Sequence, residues 1–313
     1  MLAAWSEFIC GKRKRRDVQV FERNLMSNIL SLHADLASGN YKHSQYVAFN
    51  ISDPKPRRIH KASVRDRVLH HAIYRLMYPF FDRTFIADSF SCRIEKGSHK
   101  ARKRFQDFSR KASRNYTKTC WVLKCDIRKF FASINHSVLL EILARRIPDL
   151  NTLLLLEEII DSFNGETGVG LPLGNLTSQL FCNVYMNEFD QFVKHNLHVP
   201  FYIRYADDFV FLSADKQELN NRLLGIAKFL DQSLNLSLHP DKVYIKTFAS
   251  GVDFLGWTHF PTHQTIRTVT KRRMYKRIEI HPTSETLQSY LGMLSHGNAY
   301  KLQQRVLNYG NTR

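Results

Sequence analysis

FYIRYADDFVFL, residues 201–212, sets two runs of β-forming side chains around a short acidic turn. Tyr, Ile, Phe and Val favour a pleated, half-buried surface, so the simplest structure is a β-hairpin with Asp207 and Asp208 at its tip. An Asp-Asp pair at a turn also reads as ordinary turn chemistry. Adjacent carboxylates flanked by apolar side chains nevertheless repel one another unless a cation neutralises them. Hard oxygen ligands in that setting suit Mg²⁺. A third acid, Asp126, ends the short apolar strand Trp121, Val122, Leu123, Cys125 and Ile127. Paired divalent ions roughly 3.5–4 Å apart activate an attacking hydroxyl and stabilise a leaving phosphate oxygen.

The rest of the chain supplies scaffold and charge. Val20, Phe21, Leu25, Ile29, Leu32 and Leu36 recur every three to four residues, predicting one helix over 17–38 that ends near Gly39. Tyr46 to Ile51 alternates like a strand, and helical spacing resumes from Val64 to Tyr78. Further helices are predicted over Ser137–Arg146, after a cap at Thr177 or Ser178, over Gln217–Leu234, and in a basic tail from Lys271. A short strand pair is predicted around Val243 to Leu255.

The 313 residues carry 46 Lys and Arg against 28 Asp and Glu, a net charge of +18 with a pI near 9.8. Such a surface seeks polyanions, and with the carboxylates it points to nucleic acid plus a triphosphate. The 43% of apolar residues argues against a disordered or fibrous chain. Five cysteines without C-x-x-C or His ligand spacing argue against a disulfide framework and a zinc site, as expected in a reducing compartment. Apolar runs fall short of the roughly 18 residues of a membrane span. At the N-terminus the basic cluster follows the apolar stretch, the reverse of a secretory signal. A cytoplasmic location without membrane partners is expected. The Lys12–Arg16 run reads either as a nuclear address or as solvated basic surface.

Several blocks in register carry a family resemblance. Tyr205-Ala206-Asp207-Asp208 resembles the Y-x-D-D box of reverse transcriptases, and Asp126 in LKCDIRKFF resembles their upstream metal-binding aspartate. Residues 65–101 resemble the fingers blocks, LNLSLHPDKVYI the following lysine-bearing block, and GVDFLGW (251–257) the primer-grip block. GLPLGNLTSQ (170–179), with DPKPR (53–57), is similar to the version found in diversity-generating retroelement reverse transcriptases. Most reverse transcriptases carry a glutamine where this chain has Leu173.

The resemblance implies an α+β right-hand polymerase with fingers, a palm built on an antiparallel sheet, and a small thumb. Its parts would be an N-terminal helical segment (1–50), fingers (51–118), palm (119–134), a fingers insertion (135–168), palm again (169–262) and thumb (263–313). Asp126, Asp207 and Asp208 would ligate two Mg²⁺ ions, with Mn²⁺ as a substitute and the Ile127 carbonyl as a further oxygen. Phe131 would exclude a ribose 2′-hydroxyl. Arg57 would neutralise the triphosphate, with Lys55 and Arg65 as second choices, and Lys242 would protonate departing pyrophosphate. Leu173, Gly174 and Ser178 would shape the loop under the template base. Ordinary core packing for Phe131, and solvated or phosphate-binding surface roles for the lysines and arginines, remain open.

The implied function is error-prone copying of a template-repeat RNA into cDNA, from dNTPs and through an RNA/cDNA duplex, with a small, basic, oligomeric accessory protein. A reverse transcriptase of an antiphage defence, retron-like or group II-like system is the alternative. A non-catalytic RNA-binding protein of the same fold is a third reading, disfavoured by retention of all three aspartates.

Overall fold

The computed structural model describes residues 1–52, 56–163 and 168–311. Its strands are β1 (Val47–Ile51), β2 (Arg57–Lys61), β3 (Trp121–Asp126), β4 (Tyr202–Tyr205), β5 (Asp208–Ser213), β6 (Tyr244–Thr247), β7 (Val252–Phe254), β8 (Trp257–His259) and β9 (Gln264–Ile266). The first helices are α1 (Leu2–Phe8), α2 (Arg16–Arg23), α3 (Leu25–Ala37), α4 (Val64–Asp82) and α5 (Ser98–Ala112). There follow α6 (Phe130–Ser133), α7 (His136–Ala144), α8 (Leu150–Asp161), α9 (Leu176–Gln191) and α10 (Lys216–Leu234). The chain closes with α11 (Thr268–Ile280), α12 (Ser284–Leu294) and α13 (Tyr300–Asn311).

The chain divides into two compact units, one of 1–87, 127–198 and 225–240, the other of 88–126, 199–224 and 241–313. The first is mainly helical. Ser63 caps α4 by accepting the Asp66 N–H at 3.2 Å, and Asn135 and Asp149 cap α7 and α8 through Val138 and Thr152. Val64 and Val68 of α4 pack with Trp5, Phe8, Val18 and Ile29 in one core. The predicted single helix over 17–38 is instead α2 and α3. Asn24 breaks it with φ −117° and ψ 36°, and the Asn28 side chain donates across the break to the Phe21 carbonyl at 2.9 Å. The cap predicted at Thr177 or Ser178 also moves, because α9 starts at Leu176 with Asn175 as its N-cap, and both hydroxyl residues are buried inside it.

The second unit is built on an antiparallel sheet of order β4-β5-β3-β6, with Asp126 opposite Asp208. Phe105 of α5 packs on one face with Val122, Val210, Leu212, Phe248 and Phe254. The predicted strand pair near Val243–Leu255 is in fact two strands of different sheets: β6 pairs with β3, and β7 with β8 in a three-stranded sheet. The chain changes sheet at Phe248–Gly251, where Gly251 holds φ +85°. The tail from Lys271 is three helices, and Met274, Ile278, Leu294 and Val306 close a small core on Trp257 and Ile266. Among the described residues no helix is long and apolar enough to cross a membrane.

Candidate active site

The hairpin forms as the alternation dictates, with Tyr205 paired to Asp208 so that Ala206 and Asp207 make the turn. Asp208 is therefore the first residue of β5 and not part of the tip. Ala206 holds φ 57°, a left-handed conformation costly for a residue with a Cβ. Arg204 braces it. This arginine is fully buried, and its Nη1 donates to the Ala206 carbonyl at 3.3 Å and its Nη2 to Ser89 Oγ at 3.0 Å. Its backbone is fixed between Asp88 and Phe90 by two further hydrogen bonds.

On the central strand, the register sets Asp126 beside Asp208. Two lysines meet these carboxylates. Lys242 Nζ lies 2.8 Å from Asp126 Oδ1, and Lys124 Nζ lies 3.1 Å from Asp208 Oδ2 while also donating to the Asp253 carbonyl at 2.9 Å. Burial above all, opposed by Lys124 and reinforced by the Asp126 and Asp207 charges, raises the Asp208 carboxyl to about 6. Asp208 Oδ1 is buried and has no hydrogen-bond partner. An orphaned carboxylate oxygen beside a second carboxylate is the donor chemistry that a hard divalent cation completes, so the residues fit such an ion. No three-ligand cluster is preformed among the described residues. Lys124 was missed by sequence reasoning, although period-two alternation puts it on the same face as Asp126.

The first unit gathers a second set of candidates. Phe131 is half-buried beside the buried Phe130, and its carbonyl accepts the Leu171 N–H at 2.7 Å. Leu173, two residues on, is half-buried, and its carbonyl accepts the His60 N–H of β2 at 3.1 Å. Gly174 has φ +115°, and a Cβ there would stand 3.1 Å from Ile59 Cγ2, so glycine suits this approach of loop to strand. Arg57 opens β2 with its side chain exposed. Backbone hydrogen bonds thus tie the segments of Phe131 and Leu173 to the strand bearing Arg57.

Other candidates are placed differently. Arg65 is engaged within the fold, with Nη2 2.5 Å from Asp35 Oδ2 and its guanidinium over the Tyr41 ring, so its charge is already matched. Ser178 is buried in α9 and not on the loop. Ile127 is buried and bridged to Leu238. Lys55 lies outside the described residues.

Residues 50–259 match the family profile described as reverse transcriptase (RNA-dependent DNA polymerase). The chain belongs to the reverse transcriptase family. Protein YkfC of Escherichia coli is 26% identical to this reverse transcriptase, over 84% of this chain and 77% of that one. The COX1/OXI3 intron 2 protein of Saccharomyces cerevisiae is 24% identical over 46% of this chain and 24% of its own length. Among solved structures, apo telomerase of Candida tropicalis truncated from its C-terminal domain superposes with a TM-score of 0.53 at 12% identity. That match covers 77% of this reverse transcriptase and 60% of the telomerase chain. The likeness supports the α+β right-hand polymerase fold. This reverse transcriptase spans only part of the intron protein and the telomerase, about a quarter and three-fifths respectively.

Proposed function

We propose that this reverse transcriptase copies a template-repeat RNA into cDNA with errors concentrated opposite adenine, to diversify a target gene. The observation that carries the reading is Leu173. It stands where most of the family has glutamine, on a loop whose backbone is fixed to β2. A glutamine there can hydrogen-bond near the nascent pair, whereas leucine offers only undirected apolar contact, so a mispair loses less relative to a correct pair.

In this reading Asp126, Asp207 and Asp208 hold two divalent ions, Mg²⁺ or Mn²⁺, with the Ile127 carbonyl as a further oxygen. When bound, such ions would supply Lewis-acid activation of the primer 3′-hydroxyl and charge neutralisation at the leaving pyrophosphate. Lys242 delivers the proton to that pyrophosphate, from a position where its ammonium already reaches the Asp126 carboxylate. Arg57 forks onto the triphosphate, a task suited to a planar, permanently charged guanidinium. Phe131 stacks its exposed side against the sugar and blocks a 2′-hydroxyl. In this reading the fingers, palm and thumb take the boundaries that the resemblance implies, and the work is cytoplasmic with a small basic accessory protein.

Relatedness to intron proteins supports a second reading, a group II-like role in which the template is an intron-type RNA. One experiment separates them. Both the protein and Leu173→Gln extend a primer on one defined RNA, and the cDNA is sequenced. The expected result is an adenine-directed error spectrum that falls about tenfold in Leu173→Gln, equivalent to about 1.4 kcal/mol of restored discrimination. Equal spectra would remove the fidelity role and favour the second reading.

A further inference from the structure

Arg102, in the second turn of α5, is an anomaly that the polymerase reaction does not use. It is only 4% exposed, and among the described residues no carboxylate pairs with it. Its Nη1 is buried without a hydrogen-bond partner, and its guanidinium lies over the Trp257 ring, 4.8 Å from the centroid. Burying an unmatched charge is costly, so a fold that retains one generally has an anion to set against it.

The surroundings are built for an anion. Arg102 Nη2 donates to His99 Nδ1 at 2.7 Å. A guanidinium has no acceptor, so His99 Nδ1 is the acceptor, and the proton of the neutral ring sits on Nε2. His99 is exposed, and its ring centroid lies 3.9 Å from that of exposed His296. Both belong to the second unit. His99 is in the first turn of α5, whose N-cap is Gly97 with no side chain to cap the leading N–H groups. The loop bearing His296 is held in place by Gln264, which donates from Nε2 to the His296 carbonyl and from its backbone N–H to Asn298 Oδ1, while its carbonyl accepts the Asn298 N–H. Gly297 lets that loop close on the indole, for a Cβ there would fall 1.9 Å from Trp257 Cζ3.

We propose that His99 and His296, over the Arg102 guanidinium at the N-terminus of α5, seat a backbone phosphodiester of the nucleic acid. The His99 Nε2–H donates to a phosphate oxygen, the helix terminus contributes its leading N–H groups, and Arg102 supplies the matching charge from beneath. A phosphate seated here fixes duplex position without reading bases. The inference rests on the proposal that this chain works on nucleic acid.

The test uses an RNA–DNA hybrid whose phosphodiesters are replaced, one at a time along each strand, by uncharged methylphosphonates. Binding is measured for the unmodified protein, for His99→Ala/His296→Ala, whose sites are exposed and outside the core, and for Arg102→Gln. One position should weaken binding of the unmodified protein about tenfold and leave the double variant indifferent. Arg102→Gln should make the slope of log affinity against log salt shallower by about one. An identical methylphosphonate profile in the protein and the double variant would overturn the proposal. So would a rise in dNTP KM with unchanged hybrid affinity, since the anion would then be a triphosphate. Failure of the unmodified protein to bind any hybrid would instead bring down the polymerase reading itself, and this inference with it.

Discussion

At Asp208 the same burial that raises its carboxyl leaves one oxygen orphaned, and the neighbouring Asp126 is held by a lysine. Removing either charge leaves Lys124 or Lys242 facing a neutral amide and, in the proposed reading, would deprive a cation of a ligand. Asp126→Asn and Asp208→Asn should each lower dNTP incorporation at least about a thousandfold, the scale on which loss of electrostatic stabilisation of a transition state is felt. Affinity for an RNA–DNA hybrid should change by less than about threefold, because a carboxylate is repelled by backbone phosphates and does not bind them. Primer extension beside a binding titration checks both, and an extension rate near that of the unmodified protein would dissociate these aspartates from the chemistry. That Asp126 and Asp208 come to stand side by side was legible in the sequence, because a strand end and a hairpin leave them few places to go. Lys124 was equally available by alternation, but a lone lysine among 46 basic residues carries no signal until the strand register is known. The ion pair of Arg65 was hidden for the related reason that its partner Asp35 is distant in sequence and near only in space.

Elements were read well where one pattern ran uninterrupted. The hairpin of β4 and β5 and the long helix α4 follow from alternation and from three-to-four spacing. The boundaries failed where a single residue redirects the backbone: Asn24 splits α2 from α3 without disturbing the apolar spacing, and Gly251 sends the chain from one sheet to another between two strands that look like partners. Strand β8 carries a consequence of its burial. His259 is fully buried, its Nδ1 lacks a partner, and desolvation above all lowers its pKa from the usual 6.5 to about 4. The folded protein therefore binds fewer protons than the unfolded chain between these values. This contribution to stability is complete above about pH 6.5 and drains away as pH falls toward 4. At pH 5 the loss amounts to about 2 kcal/mol. Urea denaturation at pH 7.5 and pH 5.0 should show His259→Gln losing correspondingly less stability between the two than the unmodified protein, and an equal loss would mean that this imidazole is not buried neutral.

Across the whole molecule the +18 charge is the property that any polyanion meets first. If six to ten phosphates are neutralised on binding, affinity for an RNA–DNA hybrid should fall by about three orders of magnitude or more between about 50 and 200 mM salt. Fluorescence anisotropy across that range checks it, and a flat response would assign the basic excess to solubility or to a different anionic partner. The family was legible in the sequence because its blocks occur in order over roughly residues 50–260, and the family profile matches 50–259. The particular biology was not, because it depends on which RNA is presented, and no side chain of the chain encodes that directly.

The sheet order also bears on how the protein comes into being. β3 is central, yet its two neighbours are β5 and β6, so Trp121 to Asp126 must wait for residues up to Thr247 before both edges are paired. Contacts so far apart in the chain are slow to form and late to reward the loops they close. During synthesis from the N-terminus, the strand ending in Asp126 leaves the ribosome well before either partner. The nascent chain thus carries an unpaired apolar strand for much of its translation, and Asp126 meets Asp208 only once a strand more than eighty residues further along has been made.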